Sequence, residues 1–491
     1  MNDKKIIIIG GGVAGLSAGC YLQMNGYNTE IFETSSLPGG LLTSWKRKGY
    51  TIEGSIHGLL GSSPSHPFYK LWNELIDMEK VQFIDQDIKE IYDFEYGKQF
   101  IEYADLNKLE NYMKEISPED KTVIEEFIND IRRFQNVEMP VEGLKGPSGI
   151  FKILKMVPLF LVIRRWIKVS AQDFSKKFKN PFLQEAVGYF SSPIIFEMFV
   201  LSEMDLKRCG YPSSGSLEFA RLFEKKYISC NGNINYNSRV SKILVQNDKA
   251  VGIQLDNGKI CAADIVISAA DGRTTIFDML EGKYVDETIT RYYERAELNP
   301  SNIQVSLGLN RTFEGLPRTI KLILNPPLVI NDGSQYSSID VMIYNDTKEL
   351  APQNKTLIVV QIKTKNDVFW TSLKTQNIYM YKEEKNIISE SIIEILDKRI
   401  GQIRDKIEMI DVATPATYIR YTNNWRGSTQ GWSNENIFKA NPFKKELPNL
   451  SSFYLCGQWV EPGGGVPAAF KSGRELAKII CKRDRKKFNT H

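Results

Sequence analysis

"IIIIGGGVAGLSAG", residues Ile6 to Gly19, runs four β-branched residues straight into a glycine cluster and then into small helix formers. Four consecutive isoleucines predict a strand buried on both faces, an environment that the interior of a parallel sheet provides. Gly10, Gly12 and Gly15 have the G-x-G-x-x-G spacing. In that pattern the first glycine permits a tight turn, the second lets a pyrophosphate approach the backbone, and the third lets the helix pack on the strand. Val13 and Ala14 open the helix at the expected ligand, and Ala14 and Ala18 keep one helix face slim. The helix is expected to run to Asn25 and stop at Gly26, and "YNTEIFE" supplies a second strand ending in Glu33. An acid roughly 20 residues past the glycines accepts ribose hydroxyls and disfavours a 2'-phosphate, so the expected ligand is FAD or NAD. A glycine turn alone is a weak signal. The strand, turn, helix, strand and terminal acid together set aside the reading of a turn without a ligand.

Immediately downstream lies "ETSSLPGGLLTSW", and here the chain resembles the phytoene desaturase and amine oxidase superfamily of flavoproteins. The resemblance implies that Gly39, Gly40, Leu41 and Leu42 lie along FAD; many members carry arginine where this chain has Leu41. Near the other end, "NLSSFYLCGQWVEPGGGVPAAFKSGRELAKII" resembles the C-terminal flavin motif of carotenoid desaturases and retinol saturases. A strand from Phe453 to Cys456 is expected to end at Gly457, and a helix to begin after Gly463, Gly464 and Gly465, near Val466 and Pro467. Phe470, Gly473, Leu476, Ala477 and Ile480 share one face of it, with Lys471, Arg474, Glu475 and Lys478 mostly elsewhere. Its exposed N-terminal amides would favour the negative charge of a reduced flavin. Gly463, Gly465 and Ala468 also spell G-x-G-x-x-A, but no second strand is expected after them to complete another dinucleotide unit. A third matching stretch runs from "GYPSSGSLEFARLFEKKY" to "NSRVSKILVQNDKAVGIQLDNGKICAADIVISAAD". The resemblance implies that Val240 presents its backbone to the adenine, and "DNG" at Asp256 to Gly258 favours a hairpin turn.

The expected fold class is therefore α/β: a Rossmann-type FAD-binding domain with a parallel sheet, joined to a discontinuous α+β substrate domain. A chain of 491 residues exceeds what a single core usually organises. Residues 1–75, 205–295 and 410–491 are assigned to the FAD domain, and 76–204 and 296–409 to the substrate domain. "EYADLNKLENYMKEISPEDKTVIEEFINDIRRF" has helical periodicity, while "SNIQVSLGLN" and "TLIVVQIKT" alternate as strands do. No repeat or low-complexity linker interrupts the chain.

With 63 basic and 59 acidic residues the net charge is +4, too balanced to suggest nucleic acid as a partner. Cys20, Cys209, Cys230, Cys261, Cys456 and Cys481 are scattered, without a C-x-x-C pair or a histidine cluster, so reduced thiols and no metal site are expected. "MNDKK" leads directly into the first strand, which suits a cytoplasmic protein without a leader. Peripheral membrane contact has its own signal in Gly149 to Ser170, "GIFKILKMVPLFLVIRRWIKVS", where Lys152, Lys155, Arg164, Arg165 and Lys168 interrupt large apolar residues. The uncharged stretch is too short to span a bilayer. Either it docks at an interface, with Trp166 in the headgroup zone and the "KRDRKK" tail assisting, or it is a buried helix of the substrate domain.

No nucleophile triad or carboxylate pair is legible for the chemistry. His57, in "YTIEGSIHGLLGSSP", is the candidate catalytic residue, because the resemblance places this stretch beside the flavin ring. A histidine there can donate a hydrogen bond or move a proton; the alternative is a structural role. The resemblance implies an FAD-dependent oxidoreductase acting on a long apolar polyene, isoprenoid or related lipid, as desaturase or saturase, with hydride passing to or from the flavin. Amine oxidation is a second reading, for which Trp425 and Trp432 in "NNWRGSTQGW" are a candidate aromatic pair; a non-catalytic FAD-bound scaffold is a third. With one dinucleotide unit present, electrons are expected to pass to or from oxygen, a quinone or an external carrier.

Overall fold

The structure, a computed structural model, describes residues 4–135, 159–345, 347, 349–433, 444–461 and 463–490. Its first layer is a five-stranded sheet in the order Asn233–Asn235, Asn28–Phe32, Lys5–Ile9, Ile265–Ser268, Phe453–Leu455, parallel throughout. The isoleucine run is its central strand. Ile6 and Ile8 pack toward the helix Val13–Met24, while Ile7 and Ile9 face the small sheet formed by Val240–Gln246, Lys249–Leu255 and Ile260–Ala262. Burial on both faces explains why the strand does not alternate. The "DNG" reversal joins the last two strands of that small sheet as expected.

The C-terminal helix spans Gly465–Arg483 and lies against Val13–Met24. Gly473 permits this approach, since a Cβ there would stand 2.5 Å from the Ala14 carbonyl oxygen and 2.7 Å from the Ala18 nitrogen. Phe470, Leu476, Ala477 and Ile480 are buried as the periodicity required. Arg474 departs from expectation: it is 4% exposed and forms a two-pronged ion pair with Glu74, at 2.5 and 2.6 Å. The basic tail is also not simply solvated. Asp484 binds Lys4 and the Tyr27 hydroxyl, and the Lys486 ammonium sits 4.0 Å from the centre of the Tyr27 ring.

The second layer is a mixed seven-stranded sheet in the order Ile407–Ala413, Ser301–Leu309, Thr356–Thr364, Gln335–Tyr344, Thr319–Val329, Ile88–Asp93, Gln99–Tyr103. The first of these strands spans the boundary expected at residue 410. One face of the sheet, carrying Ile303, Val305, Val360 and Ile362, is covered by the helices Asp367–Gln376 and Ile378–Leu396. Helices Leu106–Ile116, Lys121–Gln135 and Ile194–Asp205 belong to a separate aromatic-rich core.

Residues 149–158 of the basic, apolar stretch lie outside the described residues, and 159–166 are helical. Trp166 is 1% exposed, packed between Phe127 and Phe174, and its indole N–H donates to Asp130 at 2.7 Å. Arg165 pairs with Glu126 and Asp130. The expectation of Trp166 in a headgroup zone is therefore corrected: a partnered indole inside an aromatic core gains nothing from lipid. Phe160, Leu161 and Arg164 face outward. Among the described residues, no helix is long and apolar enough to cross a membrane.

Candidate functional site

The glycine turn between Ile9 and Val13 forms the floor of a long cleft, with about 1270 Å³ of empty space counted to its open mouth. Three distant stretches of chain supply its walls. Gly10, Gly12, Val13 and Ala14 line it beside Gly39, Gly40, Leu41 and Leu42; Glu33, Arg239 and Val240 line one end; Ser55, Tyr421, Val466 and Ala469 line another part, with Gly457 and Gly465. Of the residues expected at the cofactor, Gly15 and Pro467 do not line the cleft: Gly15 lies beneath the Gly10 carbonyl, and Pro467 stands in the first turn of the C-terminal helix.

Two helices begin at this cleft, with Gly12 preceding one and Gly465 opening the other. Both helix starts line the cleft, and free N-terminal amides suit phosphate and other negative charge. Leu41 brings no cation. Among the described lining residues Arg239 does, from the Glu33 end.

Glu33 is buried, and its carboxylate accepts N–H bonds from Gly11 at 2.6 Å and Ser35 at 2.7 Å. Burial raises its pKa, opposed by the N–H groups of Ser35, Gly11 and Thr34. The acid thus secures the glycine turn as well as offering its remaining lone pairs to a ribose. Glu33→Ala is expected to weaken cofactor retention by about 1–3 kcal/mol, the usual cost of unpaired buried polar groups. Cofactor content across a dilution series checks this, and unchanged retention would place the ribose acid elsewhere.

Asp271 also lines the cleft, accepting N–H bonds from Thr274 at 2.7 Å and Trp425 at 2.8 Å. Burial pushes its pKa up to about 6 despite those bonds. Sequence reasoning passed over it, although it directly follows the strand that leads back to the cleft.

His57 occupies a loop held by a residue that sequence reasoning also passed over. Glu53 ends the strand Tyr50–Glu53, is 1% exposed, and accepts bonds from the Gly54 and Ser55 N–H groups at 2.8 and 3.1 Å. Its other oxygen accepts from the Tyr211 hydroxyl at 2.7 Å and the Ser216 N–H at 3.0 Å. Beyond this anchor, His57 keeps open surface yet is strongly desolvated, which lowers its pKa against the raising influence of Glu53 and Asp340. His57 is not among the residues that line the cleft, and its lowered pKa favours the neutral imidazole. A neutral ring both donates and accepts hydrogen bonds.

The aromatic pair is corrected. Trp425 and Trp432 meet edge to face, 6.0 Å apart, and neither lines the cleft. Trp432 is buried against Trp459, Tyr292 and Tyr293, and its indole N–H donates to the Trp459 carbonyl. The two rings pack on each other and their aromatic neighbours and do not line the cleft. All six cysteines are free, and no cluster of metal-ligating side chains occurs among the described residues.

Residues 8–75 match a family profile for NAD(P)-binding Rossmann-like domains. Along 98% of its length the chain is 23% identical to prolycopene isomerase 1, chloroplastic, of an Oncidium hybrid cultivar, covering 84% of that protein. It is 22% identical to 4,4'-diaponeurosporene oxygenase of Staphylococcus aureus strain MW2, covering 98% of this chain and 99% of the relative. Among solved structures, an oxidoreductase from Methanosarcina mazei superposes with a TM-score of 0.60 at 18% identity, covering 96% of this chain and 100% of that one. Wild-type putrescine oxidase bound to putrescine gives a TM-score of 0.60 at 13% identity, covering 98% and 99%.

Proposed function

We propose that this chain, related along its length to enzymes named for carotenoid substrates and built on a dinucleotide-binding domain, is an FAD-dependent oxidoreductase of the phytoene desaturase type. Its substrate is a long conjugated or isoprenoid lipid. The observation that carries this reading is the cleft itself: it continues past the glycine turn to Ser55, Tyr421 and Val466, and its walls come from three separate parts of the chain. A cleft walled from three parts of the chain suits a resident cofactor, and the glycine backbone, the Glu33 carboxylate and two helix N-termini suit the pyrophosphate, ribose and electron-rich ring of FAD. FAD bound there supplies hydride acceptance or donation at its ring.

The protein's own residues do the remaining work. Gly12, Gly39 and Gly40 leave the backbone open to the pyrophosphate, Glu33 takes the ribose hydroxyls, and the start of the Gly465–Arg483 helix favours negative charge on the ring. His57, favoured in its neutral form by desolvation, holds or passes a proton at its imidazole nitrogens. Electrons pass to or from oxygen, a quinone or an external carrier.

Denaturing the purified protein and separating the supernatant is expected to yield FAD. Recovery of NAD, or of no nucleotide after refolding with FAD, overturns the reading. Anaerobic lipid extract, but neither amines nor NAD(P)H, is expected to bleach the flavin. Bleaching by amines favours the amine oxidase reading, rapid saturable bleaching by NAD(P)H favours a directly fuelled saturase, and no bleaching at all favours the scaffold.

A further inference from the structure

Of the loop that follows the strand Tyr50–Glu53, Ser55 is the residue that lines the cleft, in company with Tyr421, Val466 and Ala469. With the ribose given to Glu33 and the pyrophosphate to the glycine turn, this part of the cleft is left for the ring. The Ser55 backbone N–H is engaged by Glu53 at 3.1 Å, whereas its hydroxyl has no hydrogen-bond partner among the described residues. Nearby hydroxyls are occupied. Ser216 accepts the Ile56 N–H at 2.9 Å, and Ser44 accepts the Leu217 N–H at 3.3 Å.

The framework behind Ser55 is built on one buried carboxylate. Glu53 joins the Gly54 and Ser55 amides to the Tyr211 hydroxyl, on the strand Cys209–Pro212, and to the Ser216 amide at the start of the helix Gly215–Ser229. Its backbone carbonyl is held as well. The Gln304 side chain, from the strand Ser301–Leu309, donates to that carbonyl at 3.0 Å and to Ser306 at 3.2 Å. Gln304 is fully buried, and its amide oxygen accepts from Gln361 at 3.2 Å and from the Tyr418 hydroxyl at 3.3 Å, so its hydrogen-bonding capacity is filled. Tyr418 lies on the same helix as Tyr421, Pro415–Thr422. Two cleft-lining residues from distant parts of the chain, Ser55 and Tyr421, are thus tied together through Glu53 and Gln304.

The donors to the Glu53 carboxylate are all neutral. Burying a carboxylate is costly, and what the charge provides in return is a set of charge-assisted bonds that fix the loop amides. Glycines close the loop down further. A Cβ at Gly54 would stand 2.7 Å from the Thr43 carbonyl oxygen, and one at Gly58 would stand 2.9 Å from Cys209. A hydroxyl held by such a framework, without a partner and facing a ligand cleft, is preorganised to bond the ligand.

We infer that the Ser55 hydroxyl is the group by which this loop hydrogen-bonds the cofactor ring, and that Glu53 is the positioning residue that aims it. The inference rests on the FAD-dependent oxidoreductase reading and adds to it two residues that tune the bound flavin. A hydroxyl donating to the ring stabilises the electron density gained on reduction, so the contact raises the reduction potential.

Anaerobic titration of the purified flavoprotein against a reference dye gives the midpoint potential, the visible spectrum reports the surroundings of the ring, and urea unfolding reports stability. Ser55→Ala removes a hydroxyl but no bond of the framework. It is expected to shift the reduction equilibrium roughly threefold to tenfold toward the oxidised form, about 15–30 mV for a two-electron couple, at an unchanged urea midpoint. Glu53→Asp keeps the charge but shortens the reach, and should lower both the potential and the urea midpoint. Glu53→Gln keeps the length and an accepting oxygen for the loop amides, and should retain most of the wild-type potential. Wild-type potential and spectrum in Ser55→Ala overturn the inference, whether or not Glu53→Asp folds. Lost stability at wild-type potential in Glu53→Asp leaves Glu53 a structural role and overturns its positioning one. Wild-type protein that binds no FAD overturns the oxidoreductase reading instead, and is recognised before any variant is made.

Discussion

Gly15→Ala is expected to yield protein that retains no cofactor and unfolds at markedly lower denaturant concentration. A Cβ at this position would stand 2.0 Å from the Gly10 carbonyl oxygen, with Ala269 Cβ at 3.3 Å. The obstacle is backbone, so no rotamer change relieves it, and the helix must move away from the strand that precedes it. Overpacking of this kind costs about 1–3 kcal/mol or more. The displacement also carries the Gly12 and Val13 amides away from a ligand that needs them within hydrogen-bond reach. Gly12→Ala is the informative partner. Its Cβ would find nothing nearer than 3.8 Å, at the Gly39 carbonyl, so the fold should tolerate it. The added methyl narrows the cleft, and retention should fall while stability is nearly unchanged. Flavin absorbance relative to protein absorbance, beside urea unfolding midpoints, separates the two effects. Normal retention in both variants would mean that the pyrophosphate lies elsewhere.

Lys89→Met is expected to destabilise the protein by about 3–5 kcal/mol, the usual result of removing one partner from a buried ionic cluster. Lys89, on the strand Ile88–Asp93, lies 2.8 Å from Glu102 and 2.5 Å from Glu197, and both carboxylates are fully buried. Desolvation works against its charge, yet Glu102 and Glu197 raise its pKa. Burial and the nearby Glu197 push the Glu102 carboxyl well above its usual range, whereas Lys89 holds Glu197 below it in spite of burial. The Lys89–Glu197 pair fastens the helix Ile194–Asp205 to the sheet. Without the lysine, Glu197 is an uncompensated charge in an apolar core. Adding Glu197→Gln removes that charge, so the double variant should be more stable than Lys89→Met alone. Simple additivity of the two changes, measured by denaturant unfolding, would show that the groups do not act as a unit.

The dinucleotide fold was legible in the sequence because every feature that specifies it is local. Four isoleucines, a glycine turn, a slim helix and an acid lie within residues 6–33, and each answers a demand of the adjoining backbone. The expected helix ran one residue beyond the observed Val13–Met24, and the C-terminal helix started within two residues of its expected place. Glu33 was found by its spacing, but its second task, holding the Gly11 and Ser35 amides, depends on how the strand end meets the turn.

Tertiary structure decided the rest, for reasons that can be named residue by residue. Composition around Trp166 was basic and apolar, which suits a headgroup zone; only the fold brings Asp130, 36 positions earlier in the chain, to its indole N–H. Arg474 read as a solvent residue until the fold placed Glu74 against it from 400 positions away. Alternation in "SNIQVSLGLN" and "TLIVVQIKT" established that every second residue shares a face. It carried no information on what each face meets. Ile303, Val305 and Val360 meet helices, whereas on the other face Gln304 is buried against the Glu53 carbonyl and Lys363 stays exposed. A strand's period is set by its own pleat, but the environment of each face is set by elements elsewhere in the chain, and it is that environment which decides whether an alternating polar residue is bonded in the interior or left in water.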